Sequence, residues 1–255
     1  MKDILLKLKK IAADKKVHLL YACETGSRAW GFPSPDSDYD VRFIYRHDTN
    51  WYLSLNKYKD SIALMDGDLD STGWELKKSL LLLNRSNVPL IERFQSPIVY
   101  WEAPGFKANF KQLIAGYYNP IAVFFHHHSL ALKFWAEIKD QPDCKLKALF
   151  YLLRSLLSCN WIINDDSVLP MDIEGLMTYN QEDINSSIRA LIVVKSTRPE
   201  SYRHPWNHNL KEWISDAFTR LDSAKASLRI NKPGMDTLND YFLKTVYADH
   251  HHRKS

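Results

Sequence analysis

This 255-residue sequence is short of cysteine and of any one-sided charge. Cys23, Cys144 and Cys159 are an odd number at wide spacing with no CxxC pair. That fits free thiols in a reducing compartment rather than a disulfide framework. The formal net charge is only +4, with the basic residues dispersed, so charge alone argues for neither a nucleic-acid binder nor a polybasic membrane binder. Any contact with phosphates must be local. The longest apolar stretch, Ala148 to Ile163, is cut by Arg154 and falls short of the about 20 residues a bilayer span needs; it reads as a buried core helix. The first residues, MKDILLKLKKIAADKK, mix apolar and charged residues at helical spacing and lack a signal peptide's apolar region. A cytoplasmic protein is expected. There is no internal repeat, no low-complexity segment, no Walker A loop and no serine nucleophile elbow, so hydrolase and P-loop readings lack support.

What is present suffices for a core: 45% of residues are hydrophobic, and the length suits one large domain or two small ones. Leu5, Leu8 and Ile11 share a helical face, and VHLLYAC after them reads as a buried strand. Gly26 and Ser27 then break the strand and open a second helix, followed by a loop punctuated by Gly31, Pro33 and Pro35. DYDVRFIY resumes a strand. A third strand is expected around SIALM and DLDST, with Gly73 as its stop before a helix in which Leu76, Leu80 and Leu83 share a face. Beyond Gly105 strand signals thin out. YYNPIAVFFHHHSLALKFWAEI, KLKALFYLLRSLLSCNWII, EDINSSIRALIVVKS and LKEWISDAFTRLDSAKASLRI read as helices, with prolines near their ends. The expected organisation is α/β plus α, with a domain at 1–104 and a helical C-terminal domain at 105–255, the boundary near Pro104 resting on this change of periodicity.

One stretch carries chemistry: ETGSRAWGFPSPDSDYDVRFIY, Glu24 to Tyr45. Side chains alternate along a strand, so Asp38 and Asp40 project to one side and Tyr39, Val41 and Phe43 to the other. Two neighbouring carboxylates repel each other unless a proton or a cation relieves them. Mg²⁺ does so, and is commonly held by one or two carboxylates together with substrate phosphates. Gly26 and Ser27, where strand turns into helix, offer close backbone approach, a hydroxyl and free amides for a triphosphate. Metal, phosphate grip and positioning are what nucleotidyl transfer requires. Taken singly, PDSDYD reads better as a solvated turn and Gly-Ser as ordinary punctuation; their order after an apolar strand favours the site.

Gly26-Ser27, ten residues, then Asp38-Tyr39-Asp40-Val41 resembles the signature of the DNA polymerase beta-like nucleotidyltransferase superfamily. The longer string from Glu24 to Tyr45, with LDSTGWELKKSLLLLNRSNVPLIERFQSPIVY from Leu69 to Tyr100, looks like its RlaP or YcgL-like branch of predicted nucleotidyltransferases. The similarity continues through KLKALFYLLRSLLSCNWI and LPMDIEGL and so spans most of the chain. The resemblance implies a nucleotidyltransferase domain with a mixed sheet followed by an α-helical C-terminal domain. It also implies Mg²⁺ or Mn²⁺ as cofactor and an NTP as substrate. By the same resemblance Asp38 and Asp40 bind two divalent ions, and the third carboxylate comes from the next strand. Asp70 has the matching surroundings, with Asp66 and Asp68 as competitors that also read as turn residues. One aspartate helps deprotonate a hydroxyl that attacks the α-phosphorus, and pyrophosphate leaves. Two departures stand out: Thr25 where the branch more often has Ser, and Arg93-Phe94 in place of Trp-Leu. Neither touches the metal ligands.

Other residues carry two readings each. Arg28 and Arg42 suit phosphate oxygens, yet Arg42 shares the face of the aspartates and could simply neutralise them. Trp30 and Trp74 suit base stacking or the core. Three consecutive histidines, His126–His128 and again His250–His252, point to different helix faces, unlike the i,i+4 spacing of helical ligand pairs. Lys147 and Arg154, seven apart on one helix, could face a nucleotide, and a buried Arg154 otherwise needs a partner. Lys195, Arg198, Arg203, His204 and His208, with Tyr202 and Trp206 between them, could touch RNA or form a solvated loop. The acceptor stays open among an RNA end, a protein hydroxyl and a small molecule, with no membrane expected. A noncatalytic nucleotide-binding regulator is the rival from another class.

Overall fold

The computed structural model describes residues 2–55 and 59–247. The second histidine triplet lies outside the described residues. In chain order the elements begin with helix α1 (Lys2–Lys15), strand β1 (His18–Thr25), helix α2 (Gly26–Trp30), β2 (Tyr39–Arg46) and α3 (Thr49–Tyr52). Then come β3 (Ser61–Asp66), β4 (Leu69–Glu75), α4 (Leu76–Leu83), α5 (Val88–Gln95), β5 (Val99–Glu102) and α6 (Phe106–Tyr117). The remainder is α7 (Pro120–Ile138), β6 (Asp143–Lys145), α8 (Leu146–Asn164), α9 (Ile173–Leu176), α10 (Glu182–Ser196), β7 (Arg203–Pro205), α11 (His208–Ala224) and α12 (Asp236–Tyr247).

The chain forms two compact units. One comprises residues 2–25, 38–118 and 232–247, the other 26–37 and 119–231. This differs from the contiguous boundary expected near Pro104. Helix α6 belongs with the sheet, because its Phe110 stacks on Phe94 of α5 at 4.1 Å. Residues 26–37, although early in the sequence, belong with the helical unit. Periodicity along a chain cannot reveal such crossings, since it reports each element's own face and not what that face meets.

The sheet unit holds a five-stranded mixed sheet in the order β3-β4-β2-β1-β5. Strands β1 and β2, β1 and β5, and β3 and β4 pair antiparallel, whereas β2 and β4 run parallel. One face is dry. Val41, Phe43, Tyr45, Ala22 and Leu69 pack there with Leu8 and Ile11 of α1, as the apolar face of α1 anticipates. Gly73 lies inside β4 rather than stopping it, for a steric reason: a Cβ there would sit 2.1 Å from the Phe43 ring. Helix α4 starts three residues later, after Glu75 as its cap, which accepts the Lys78 N–H, an arrangement worth about 1 kcal/mol. On the other face Tyr21 stacks on Phe94 at 4.9 Å. There the buried Arg93 guanidinium donates to the Phe43 carbonyl and lies 3.5 Å over the Trp74 ring.

The helical unit is built on α7 and α8. Helix α8 is long and apolar enough to cross a membrane by composition, but 72% of its apolar window is buried inside the protein, as the core-helix reading anticipated. Its one charged residue in the apolar run, Arg154, donates twice to the Met171 carbonyl and lies 4.5 Å over the Trp30 ring. All three cysteines are buried and unpaired.

Candidate functional site

On the dry face Val41, Phe43 and Tyr45 of β2 and the odd-numbered positions of β4 from Leu69 are buried, while the alternate positions on β4 are half-buried. On that second face the parallel register sets Asp40 beside Asp70 and Arg42 beside Thr72. Parallel strands lie about 4.8 Å apart, so two carboxylates in register must repel unless a cation stands between them. Arg42 supplies it. Its Nη2 donates to Asp40 Oδ1 at 2.9 Å and to Asp70 Oδ2 at 2.8 Å, and its Nη1 donates to the Asp70 carbonyl at 2.9 Å. Each carboxylate is 33% exposed and the guanidinium 20%. Solvent screening at that exposure keeps the ion pairs to about 1 kcal/mol. The trio retains one negative charge, open to solvent.

Asp38 stands one residue before β2, exposed. Among the described residues no three carboxylates, imidazoles or thiols converge on a ready-made metal cage. Of the competitors for the third carboxylate, Asp66 ends β3 in an ion pair with Lys7 at 2.6 Å. Asp68 sits in the β3–β4 turn, where its carbonyl accepts the Tyr39 N–H at 2.8 Å. Only Asp70 shares a register position with Asp40. The donor set suits a hard cation: two half-exposed carboxylates already satisfied by a positive charge, which with water and substrate phosphates is the usual ligand set of Mg²⁺.

Gly26 follows Thr25, the last residue of β1, with φ of 64°, a left-handed value that only glycine adopts at no cost. It turns the chain out of the strand into α2. At five residues α2 is too short to build up the dipole that a phosphate-binding helix offers. What Ser27 presents is a hydroxyl, donating to Ser37 Oγ at 3.1 Å, and a carbonyl that receives the Phe32 N–H. Arg28 donates to the Ser37 carbonyl at 2.7 Å. The same serine donates to Glu200, which also accepts Lys147 Nζ. Thus Ser27, Arg28 and Lys147 belong to one polar network inside the helical unit, and Arg154 is committed to Met171 and Trp30. Trp30 meets Tyr151 edge-on at 5.2 Å, and Trp74 carries Arg93; both take part in internal packing.

The basic stretch that begins at the end of α10 is engaged internally as well. Lys195 is 2% exposed, its ammonium donating to Ser34 Oγ at 2.6 Å; burial lowers its pKa. Arg203 pairs with Asp143 at 2.6 Å, Tyr202 and His204 share a hydrogen bond, and Arg198 lies over Tyr202. His208 pairs with Glu212 in an exposed position. In the first histidine triplet, His127 is fully buried and neither ring nitrogen has a hydrogen-bond partner; burial, with Arg154 nearby, holds its pKa well below the usual imidazole value. His128 lies 3.7 Å from Asp222.

Sequence reasoning passed over Glu24. It is completely buried on the dry face of β1, its Oε1 accepting the Asp40 N–H at 2.7 Å and its Oε2 the Tyr100 hydroxyl. The available signal was an acid at the end of an apolar strand, which must be paired if it is buried.

Comparison with known proteins identifies the family. A Bacillus subtilis (strain 168) protein, the uncharacterized YcgL, is 35% identical over 247 residues, covering 95% of each chain. A crystal structure of a nucleotidyltransferase-like protein from Exiguobacterium sibiricum 255-15 aligns over 88% of this chain and 75% of its own, at 9% identity and a TM-score of 0.31. Residues 1–244 match the family described as "RlaP: RNA repair pathway DNA polymerase beta family", and with nearly the whole length matched, the chain belongs to that polymerase beta-like family.

Proposed function

We propose that this protein is a Mg²⁺-dependent nucleotidyltransferase that moves a nucleoside monophosphate from an NTP to a hydroxyl acceptor, releasing pyrophosphate. The observation that carries the reading is the in-register Asp40–Asp70 pair, half-exposed and satisfied by a cation. A packing role does not call for two carboxylates side by side, since their repulsion costs stability; gathering divalent cations and phosphates does. Asp40 and Asp70 would hold the ion, with Asp38 as a further ligand. When bound, Mg²⁺ supplies charge neutralisation at the phosphates. Of the chain's own groups, one carboxylate accepts the proton of the attacking hydroxyl. Arg42, whose guanidinium fork suits phosphate oxygens, shifts from the carboxylates to the nucleotide.

The family's description makes an RNA end the first acceptor to try. Dispersed basic residues and a net charge of +4 predict modest affinity for long RNA, with a correspondingly shallow dependence on salt. The test is incubation with each α-labelled NTP and Mg²⁺, adding RNA, protein or small-molecule fractions in turn, for wild type and for Asp40→Asn and Asp70→Asn. Label entering one fraction with wild type alone supports the reading and names the acceptor class. Metal-dependent NTP binding without transfer to any fraction would favour a nucleotide-sensing regulator instead.

A further inference from the structure

A strand turns the peptide groups of successive residues toward opposite neighbours. Tyr39 directs its N–H to the Asp68 carbonyl, on the β4 side of β2. The peptide groups of Asp40 are held on the other side, by β1, where β1 itself ends: Thr25 is its last residue and is paired with Asp40 in register. Side chains complete what the ladder no longer supplies. Glu24 Oε1 accepts the Asp40 N–H at 2.7 Å, and Thr25 Oγ1 donates to the Asp40 carbonyl at 3.0 Å. Both main-chain polar groups of the residue that carries the carboxylate are therefore fixed by two consecutive side chains.

Glu24 is itself held. The Tyr100 hydroxyl of β5 donates to its Oε2, and the Ser96 hydroxyl donates to its main-chain carbonyl at 2.6 Å. A completely buried carboxylate among apolar neighbours such as Ala22 and Val41 carries a desolvation cost that a leucine there would not. Packing does not explain its presence; the Asp40 peptide does.

We propose that Glu24 and Thr25 are positioning residues for Asp40, setting the direction of its carboxylate toward the divalent cation. The inference rests on the nucleotidyltransferase reading above. Groups that orient a metal ligand without touching the metal are worth about 10- to 100-fold in metal affinity. Glu24 acts as a hydrogen-bond acceptor, so an amide oxygen at the same place should serve.

The experiment is a Mn²⁺ titration of the full chain without nucleotide, followed by electron paramagnetic resonance of the free ion, with denaturant unfolding in parallel. Asp40→Asn weakens Mn²⁺ binding most. Glu24→Leu is expected to weaken it about 10- to 100-fold, Glu24→Gln to restore it to within about threefold of wild type, and Thr25→Val to fall between. Ser96→Ala, which loosens the same strand without touching the Asp40 peptide, lowers stability and leaves Mn²⁺ affinity unchanged. A folded Glu24→Leu with wild-type affinity overturns the proposal. So does Glu24→Gln as weak as Glu24→Leu, which would assign the effect to charge. Should Glu24→Leu fail to fold, unchanged affinity in Thr25→Val overturns it equally. If wild type and Asp40→Asn bind Mn²⁺ alike, the nucleotidyltransferase reading itself falls, and the positioning role with it.

Discussion

The sheet unit and the helical unit handle charge in opposite ways. On the open face of β2 and β4, Asp40, Asp70 and Arg42 are a fifth to a third exposed, with Arg42 pairing both carboxylates and donating to the Asp70 carbonyl. In the helical unit Arg154 and Lys195 are 5% and 2% exposed, fixed by a carbonyl and a hydroxyl, and His127 is buried neutral. A half-exposed ion pair contributes little to stability and exchanges partners readily. A buried cation with fixed partners is costly to disturb. Charges in the first region are the ones the proposed chemistry uses, and those in the second hold structure.

Four substitutions break or sharpen that contrast. The largest effect belongs to Asp40→Asn, which should lower transfer by at least about a hundredfold, the scale of removing a preorganised electrostatic group. Stability should be unchanged or slightly higher, since carboxylate repulsion is relieved; turnover and denaturant unfolding measured on one preparation check both halves. Arg154→Ala should show the reverse profile. Losing two charge-assisted hydrogen bonds and leaving a cavity costs about 3 kcal/mol, while Mn²⁺ affinity stays at the wild-type value.

The third concerns acid. His127 has its folded pKa held well below 6.5, so above that pH both folded and unfolded states are neutral there and the group is indifferent. Below it the unfolded chain binds a proton that the folded protein refuses, and stability falls by about 1.4 kcal/mol for each pH unit until the folded pKa is reached. His127→Leu should flatten this limb in unfolding curves taken from pH 7 to pH 5. The smallest effect is Arg42→Gln, which removes the resident cation. Mn²⁺ binding without nucleotide should tighten about fivefold, the equivalent of about 1 kcal/mol of exposed pairing, as read by titration.

Much of this was legible before any coordinates. The helices α1, α7, α8, α10 and α11 show in the sequence because each keeps one apolar face over three turns or more. Elements whose burial comes from distant partners did not: α5, β5 and α12 were not anticipated, and the fit of Gly73 beneath the Phe43 ring looks in sequence like a strand ending. The pair Asp40 and Arg42 followed from alternation alone. Placing Asp70 beside them needed the family resemblance, because a parallel register between β2 and β4 depends on the hairpin that brings β4 back. Glu24 lay in plain view within the stretch first singled out, yet its role exists only through a contact sixteen residues away.

The central claim turns on which phosphorus of the NTP the acceptor hydroxyl attacks. Parallel incubations with α-labelled and γ-labelled NTP, Mg²⁺ and an accepting fraction would follow the label into acceptor and leaving group. The account predicts α-label joined to the acceptor and γ-label released as pyrophosphate, both lost in Asp40→Asn. Transfer of the γ-label instead, or α-label transfer undiminished in Asp40→Asn, would contradict it.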